Sequence, residues 1–144
     1  MTPRARLAIA LVSLCLLCVG CAGSGAQPAA TGTPDAGIAT TLTDFKITTA
    51  EAEAVAGRVA FDLQNDGPSD HTFYLARTDL AEDALPVVDH VVNLGALAVV
   101  AKTGLLGAGA DATVAADLPA GTYVLFCNLP GHYESDMHAA FTVT

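Results

Sequence analysis

The sequence predicts an all-β domain, an antiparallel β-sandwich of seven or eight short strands with one short helix. Three observations carry this. Short apolar runs rich in Val, Ile, Phe, Tyr and Thr recur from residue 38 to residue 144. Turn clusters such as Asn65-Asp66-Gly67-Pro68-Ser69 and Pro119-Ala120-Gly121 separate them at close spacing. Only one brief stretch, residues 79–85, carries helix signals.

The chain must first be divided. Residues 1–20 have Arg4 and Arg6 ahead of an uncharged apolar run at 7–19, too short to span a bilayer as a helix of roughly 20 residues. That is the pattern of a signal peptide. Leu17-Cys18-Val19-Gly20-Cys21 resembles a bacterial lipoprotein cleavage site, which makes Cys21 the expected lipidated first residue of the mature protein. Leucine usually stands three positions before that cysteine; here Cys18 does. Residues 22–37 are Ala, Gly, Ser, Thr, Gln and Pro with one charge, Asp35. Together, 21–37 is expected to be an anchored, flexible linker, with a reach on the order of 20–25 Å as a coil.

The domain proper, residues 38–144, is then read strand by strand. Ile38, Leu42, Phe45 and Ile47 mark a first strand with an irregular middle. Val59, Phe61 and Leu63 alternate onto one face of the next. After the Asn65–Ser69 turn cluster, a strand begins at 71–76. Asp79 with Glu82 three residues on has the form of a capping box, and Pro86 ends the short helix it predicts. Residues 87–110 are apolar and punctuated by glycine; one strand at 97–101 is legible there and the remainder is not. Strands follow at 112–118, 122–127 and 139–144.

The formal net charge is −9. All 15 acidic residues lie beyond residue 21, so loss of Arg4 and Arg6 with the signal leaves a mature charge of about −11. Such an exterior disfavours nucleic acid and could steer a basic partner. Cys127 is the one cysteine beyond residue 21. It has no mate for an internal disulfide in an oxidising compartment, and metal ligation is its simplest occupation.

Cys127-Asn-Leu-Pro-Gly-His132-Tyr-Glu-Ser-Asp-Met137 places a thiolate, an imidazole and a thioether five residues apart in one loop, and Met137 is the one methionine besides Met1. Thiolate and imidazole in a plane with a weak axial thioether suit a copper ion that cycles between Cu(I) and Cu(II). Methionine is a poor ligand for zinc.

These residues resemble the cupredoxins, the small blue (type 1) copper proteins. The Cys-x4-His-x4-Met spacing is like that of auracyanin and rusticyanin, and a remote histidine, His71, follows a strand and an Asn-x-Gly turn. The resemblance covers about residues 38–144. It implies a Greek-key sandwich and one copper held by His71, Cys127, His132 and Met137. It also implies an electron port at His132, framed by Leu129, Pro130 and Gly131, with Thr72, Asn128 and Asp136 flanking the ligands. Two positions depart from the family pattern. Thr72 stands where asparagine often ties the two ligand loops together; its hydroxyl is expected to make a shorter link. Asp136 stands where glycine often precedes the axial methionine; its charge would lower the reduction potential unless it faces solvent. His90 and His138 are expected to be surface residues.

The implied function is that of an exported carrier of single electrons between redox partner proteins. It would be monomeric, held at the outer face of the cytoplasmic membrane or in the periplasm through Cys21. The alternative is a copper chaperone or storage protein, for which one Met and one Cys are a poor supply. Catalysis lacks its parts: four histidines cannot build further copper centres, and a Cys127/His132 nucleophile pair has no orienting third residue or oxyanion donors in view.

Overall fold

The computed structural model describes residues 37–144. The signal segment, Cys21 and the linker up to residue 36 lie outside the described residues.

The first strand read across residues 38–47 is a hairpin of two strands, and the one expected from residue 71 begins at Tyr74; elsewhere the β-branched and aromatic runs form strands where the alternation placed them. The longer strands are β1 (Ile38–Thr43), β2 (Lys46–Thr49), β4 (Gly57–Asn65), β5 (Tyr74–Arg77), β8 (Ala98–Lys102), β9 (Asp111–Leu118), β10 (Gly121–Phe126) and β11 (His138–Val143). Two-residue pieces supply β3 (Glu53–Ala54), β6 (Val87–Val88) and β7 (Val91–Val92). One sheet has the order β2-β1-β4-β9 and the other β3-β11-β10-β5-β8, with β6-β7 a separate ribbon.

The sandwich is mixed rather than wholly antiparallel. β1 runs parallel to β4, and β3 parallel to β11. After β2 the chain crosses to the edge of the second sheet as β3 and returns on the inner side of β1, arriving in the same direction. All other pairings among the described strands are antiparallel.

Val59, Phe61 and Leu63 do share the inward face of β4, where they meet Phe73, Leu75, Tyr123, Leu125 and Phe141 from the opposite sheet. Phe61 packs against Phe73 at 5.5 Å and edge-on against Phe141 at 5.1 Å between ring centroids. Residues 123–126 are apolar on both faces for a reason. The second face of β10, carrying Val124 and Phe126, is covered by Leu85, Val92 and Tyr133, which form a second buried cluster. An antiparallel strand covered on both sides loses its polar alternation.

The helix expected at 79–85 is absent; the segment is a run of turns. The Asp79 carboxylate engages the Thr122 hydroxyl at 3.3 Å, and the Leu85 N–H donates to the Tyr133 hydroxyl at 2.8 Å. Long-range partners take the groups a helix would use, and fewer than two turns fit before Pro86. The unreadable region 87–110 is a tight hairpin turned by Asp89 and His90, both at positive φ (51° and 64°). A 3-10 turn at Leu94–Ala96 follows, capped by Asn93, and then β8.

Candidate metal centre

Two arms of the chain meet at one end of the sandwich. The first begins at Asn65, the last residue of β4 and fully buried. Its side-chain amide donates to the carbonyls of Ser69 (2.8 Å) and Leu106 (2.9 Å), and its oxygen accepts from the Gly67 N–H (3.0 Å). The turn is thereby closed on itself and tied to the 103–110 segment. His71 continues the tie: its N–H donates to Leu106 O at 2.9 Å and its carbonyl accepts from Leu106 N at 2.8 Å. His71 is 0% exposed.

The second arm leaves β10 at Cys127, also 0% exposed. The Cys127 N–H donates to Met137 O at 3.1 Å, closing the loop at its base, and Met137 N donates to His132 O at 3.1 Å. Between them, Gly131 takes φ 78°, a 3-10 turn spans Tyr133–Ser135, and Asp136 reverses the chain at φ 69°. Met137 then returns to the core, fully buried in the same cluster as Cys127.

The donor atoms of His71, Cys127 and His132 lie within 4.8 Å of one another. Cys127 Sγ is 3.5 Å from His132 Nδ1, and the two imidazoles meet edge to face at 5.3 Å between centroids. Met137 stands beside them. Both ring nitrogens of His71 are buried without a hydrogen-bond partner among the described residues. A buried imidazole in that state carries the full cost of desolvation, and a metal ion would answer it. Burial, followed by the neighbouring His132, holds the pKa of His71 below its ordinary value of 6.5, against the opposing pull of Asp44. A neutral imidazole keeps a lone pair free. One thiolate, two imidazoles and a thioether fit copper.

The family model for the sulfocyanin (SoxE) domain matches residues 54–144. The chain belongs to the sulfocyanin family, within the cupredoxins. Its cofactor is accordingly one type 1 copper ion, and its general role is electron transfer. The fold of this sulfocyanin domain is similar to that of dithionite-reduced auracyanin from the photosynthetic bacterium Roseiflexus castenholzii. That likeness has a TM-score of 0.61 and 22% identity, covering 77% of this chain and 98% of that one. It is similar also to auracyanin A, titled a "blue" copper protein, from Chloroflexus aurantiacus, with a TM-score of 0.52 and 21% identity over 74% of this chain and 99% of that one. Rusticyanin from Thiobacillus ferrooxidans gives a TM-score of 0.53 and 17% identity over 74% of this chain and 76% of that one. No curated protein sequence matches.

The flanking residues of the sulfocyanin site each have a defined place. Thr72 links the arms three times: its N–H points at Cys127 Sγ at 3.4 Å, its hydroxyl lies 3.6 Å from the same sulfur, and that hydroxyl accepts from the Asn128 N–H at 3.0 Å. The short link expected of a threonine is therefore made. Asn128 turns its side chain outward to the ribbon, accepting from Val92 N at 2.7 Å and donating to Val92 O at 3.3 Å. The Asp136 side chain is 97% exposed, so solvent screens the charge that could have lowered the potential. Its left-handed backbone explains why glycine is at home at that position.

Pro130 is exposed, and Leu129, Gly131 and His132 are half-buried. Phe45 lies edge-on to His132 at 5.5 Å. His90 is a surface residue, as expected, and pairs with Glu134 at 2.9 Å. His138 is not: its side chain is only 11% exposed, and its ring packs on Tyr133 at 5.0 Å. As the first residue of β11 it is drawn under the 3-10 turn, away from the donor group.

Three contributors escaped the sequence: Asn65, Asp44 and Phe45. Asn65 was visible as part of a turn cluster, but its bond to Leu106 spans 41 residues. Asp44 and Phe45 form the tip of the β1–β2 hairpin, and only the fold brings that tip to the two histidines.

Proposed function

We propose that this sulfocyanin is an exported carrier of single electrons, with copper held by His71, Cys127, His132 and Met137. The observation that carries the proposal is the convergence of three donor atoms within 4.8 Å from two arms braced to each other by Thr72. Copper, when bound there, supplies a Cu(I)/Cu(II) couple.

The chain's own residues do the remainder. Thr72 N–H, aimed at the Cys127 sulfur, stabilises a thiolate and fixes its direction. The closed turn around Asn65 and the Cys127–Met137 backbone bond hold both arms against rearrangement, which a carrier needs because any shift between oxidation states slows transfer. His132, half-buried among Leu129, Pro130 and Gly131, gives the path its outer edge. Full burial of Cys127, His71 and Met137 favours a carrier over a chaperone that hands its ion on. We further propose a monomer anchored through lipidated Cys21, at the outer face of the cytoplasmic membrane or in the periplasm, exchanging electrons with partner proteins.

Replacing the thioether tests the ligand set. Met137→Leu is expected to retain copper and raise the reduction potential; an unchanged potential removes Met137 from the axial position. Slow copper loss to a chelator supports the carrier, and rapid transfer to an acceptor supports a chaperone. Mass spectrometry of the mature N-terminus decides the anchor.

A further inference from the structure

The β1–β2 hairpin tip is a two-residue turn, Asp44-Phe45, with Phe45 at φ 61°. A bulky residue in the left-handed region is strained and uncommon, and such strain persists where the surroundings impose it. Here both tip residues face the metal centre. Phe45 lies on His132, and Asp44 brings Oδ1 to 3.3 Å from Nε2 of His71.

That approach is built from both sides. The Ser69 hydroxyl donates to the other carboxylate oxygen, Oδ2, at 3.2 Å. Gly67 clears the space: a Cβ there would stand 3.0 Å from both Asp44 Oδ1 and His71 Nε2, and 3.1 Å from the Asp44 backbone nitrogen. The carboxylate is about one-third exposed and the imidazole is wholly buried, so Asp44 reaches inward from the rim. The contact as it stands falls short of hydrogen-bond geometry, since Nε2 counts as unpartnered.

We propose that Asp44 is a positioning residue for the copper centre: its carboxylate takes the Nε2–H of His71, leaving Nδ1 as the nitrogen whose lone pair is offered to the ion. A carboxylate behind a ligating imidazole fixes the tautomer and raises the ring's basicity. That favours the more highly charged oxidation state and lowers the potential. Asp44 thus does, from the hairpin tip, what the solvent-facing Asp136 cannot do from the ligand loop. The inference rests on His71 being a ligand.

The test has a metal-free half and a loaded half. In the metal-free protein, nitrogen-15 NMR should show His71 as a single Nε2–H tautomer with a slowly exchanging ring proton, and Asp44→Leu should mix the tautomers and speed that exchange. In the copper-loaded protein, Asp44→Asn, which keeps size and an acceptor oxygen but removes the charge, should keep the blue band and raise the potential. Asp136→Asn should leave the potential close to wild type. An unchanged potential in Asp44→Asn overturns the proposal, as does a shift of equal size in Asp136→Asn, which would mark a general charge effect. An unchanged His71 tautomer in Asp44→Leu overturns it too. Failure of the wild type to bind copper would instead defeat the ligand assignment, while the metal-free spectra still decide the Asp44–His71 pair.

Discussion

The two arms that meet at the metal centre are built on opposite plans. The Cys127–Met137 arm carries three of the centre's four proposed ligands within eleven residues and closes on itself through local backbone bonds. The His71 arm carries one ligand and is held by partners far away in sequence: Leu106 through Asn65 and His71, Thr103 through Phe73, and Asp44 through Ser69. A local loop can be specified by spacing alone. A remote ligand needs a buried polar anchor, and Asn65 provides it.

The largest break in this contrast is expected from Asn65→Ala. It removes a fully buried amide and leaves the buried Gly67 N–H without its acceptor, worth about 1–3 kcal/mol, while Ser69 O loses its donor and Leu106 O keeps only the His71 N–H. Denaturant unfolding should show a loss on the order of 3 kcal/mol, and copper should bind more weakly because His71 is no longer aimed. A variant that unfolds more easily yet binds copper as wild type would show that His71 is held by something else.

Tyr133→Phe probes the other arm at its outer support. The hydroxyl donates to Glu82 O and accepts from Leu85 N–H, both at 2.8 Å. Its loss leaves a buried N–H unsatisfied, for about 1–3 kcal/mol. Because Glu82 and Leu85 lie outside the self-closed loop and the loop keeps its own backbone bonds, the blue spectrum should survive the loss of stability. A changed spectrum would mean that the loop depends on its cover.

Asp136→Gly should have the smallest effect. Glycine relieves the left-handed backbone by at most about 1 kcal/mol. The potential should stay unchanged, because the carboxylate it removes is turned to water. A clear rise in potential would show that this charge reaches the copper after all.

The same contrast explains what could be read from the chain. The loop was legible because sulfur is scarce and both spare sulfurs flank one histidine. The strands were legible where one face is buried, as at Val59, Phe61 and Leu63. The false helix at 79–85 shows the opposite case, in which a local capping pattern lost to Tyr133 and Thr122, residues more than 40 positions away. The Asp89-His90 turn went unseen because it reaches positive φ without a glycine. The two parallel pairings depend on where a crossing strand lands, which no local pattern encodes. The surface assignment of His138 failed for a related reason: its cover, Tyr133, is itself positioned by the 79–85 segment.

The central claim is that Cys127 and its three companions hold one copper ion. The most direct measurement is the visible spectrum of the domain after one equivalent of Cu(II), with wild type beside Cys127→Ser. An intense blue or green thiolate-to-copper band in the wild type, absent from the serine variant, is the predicted result. A colourless wild type, or a band that persists without the sulfur, would contradict it.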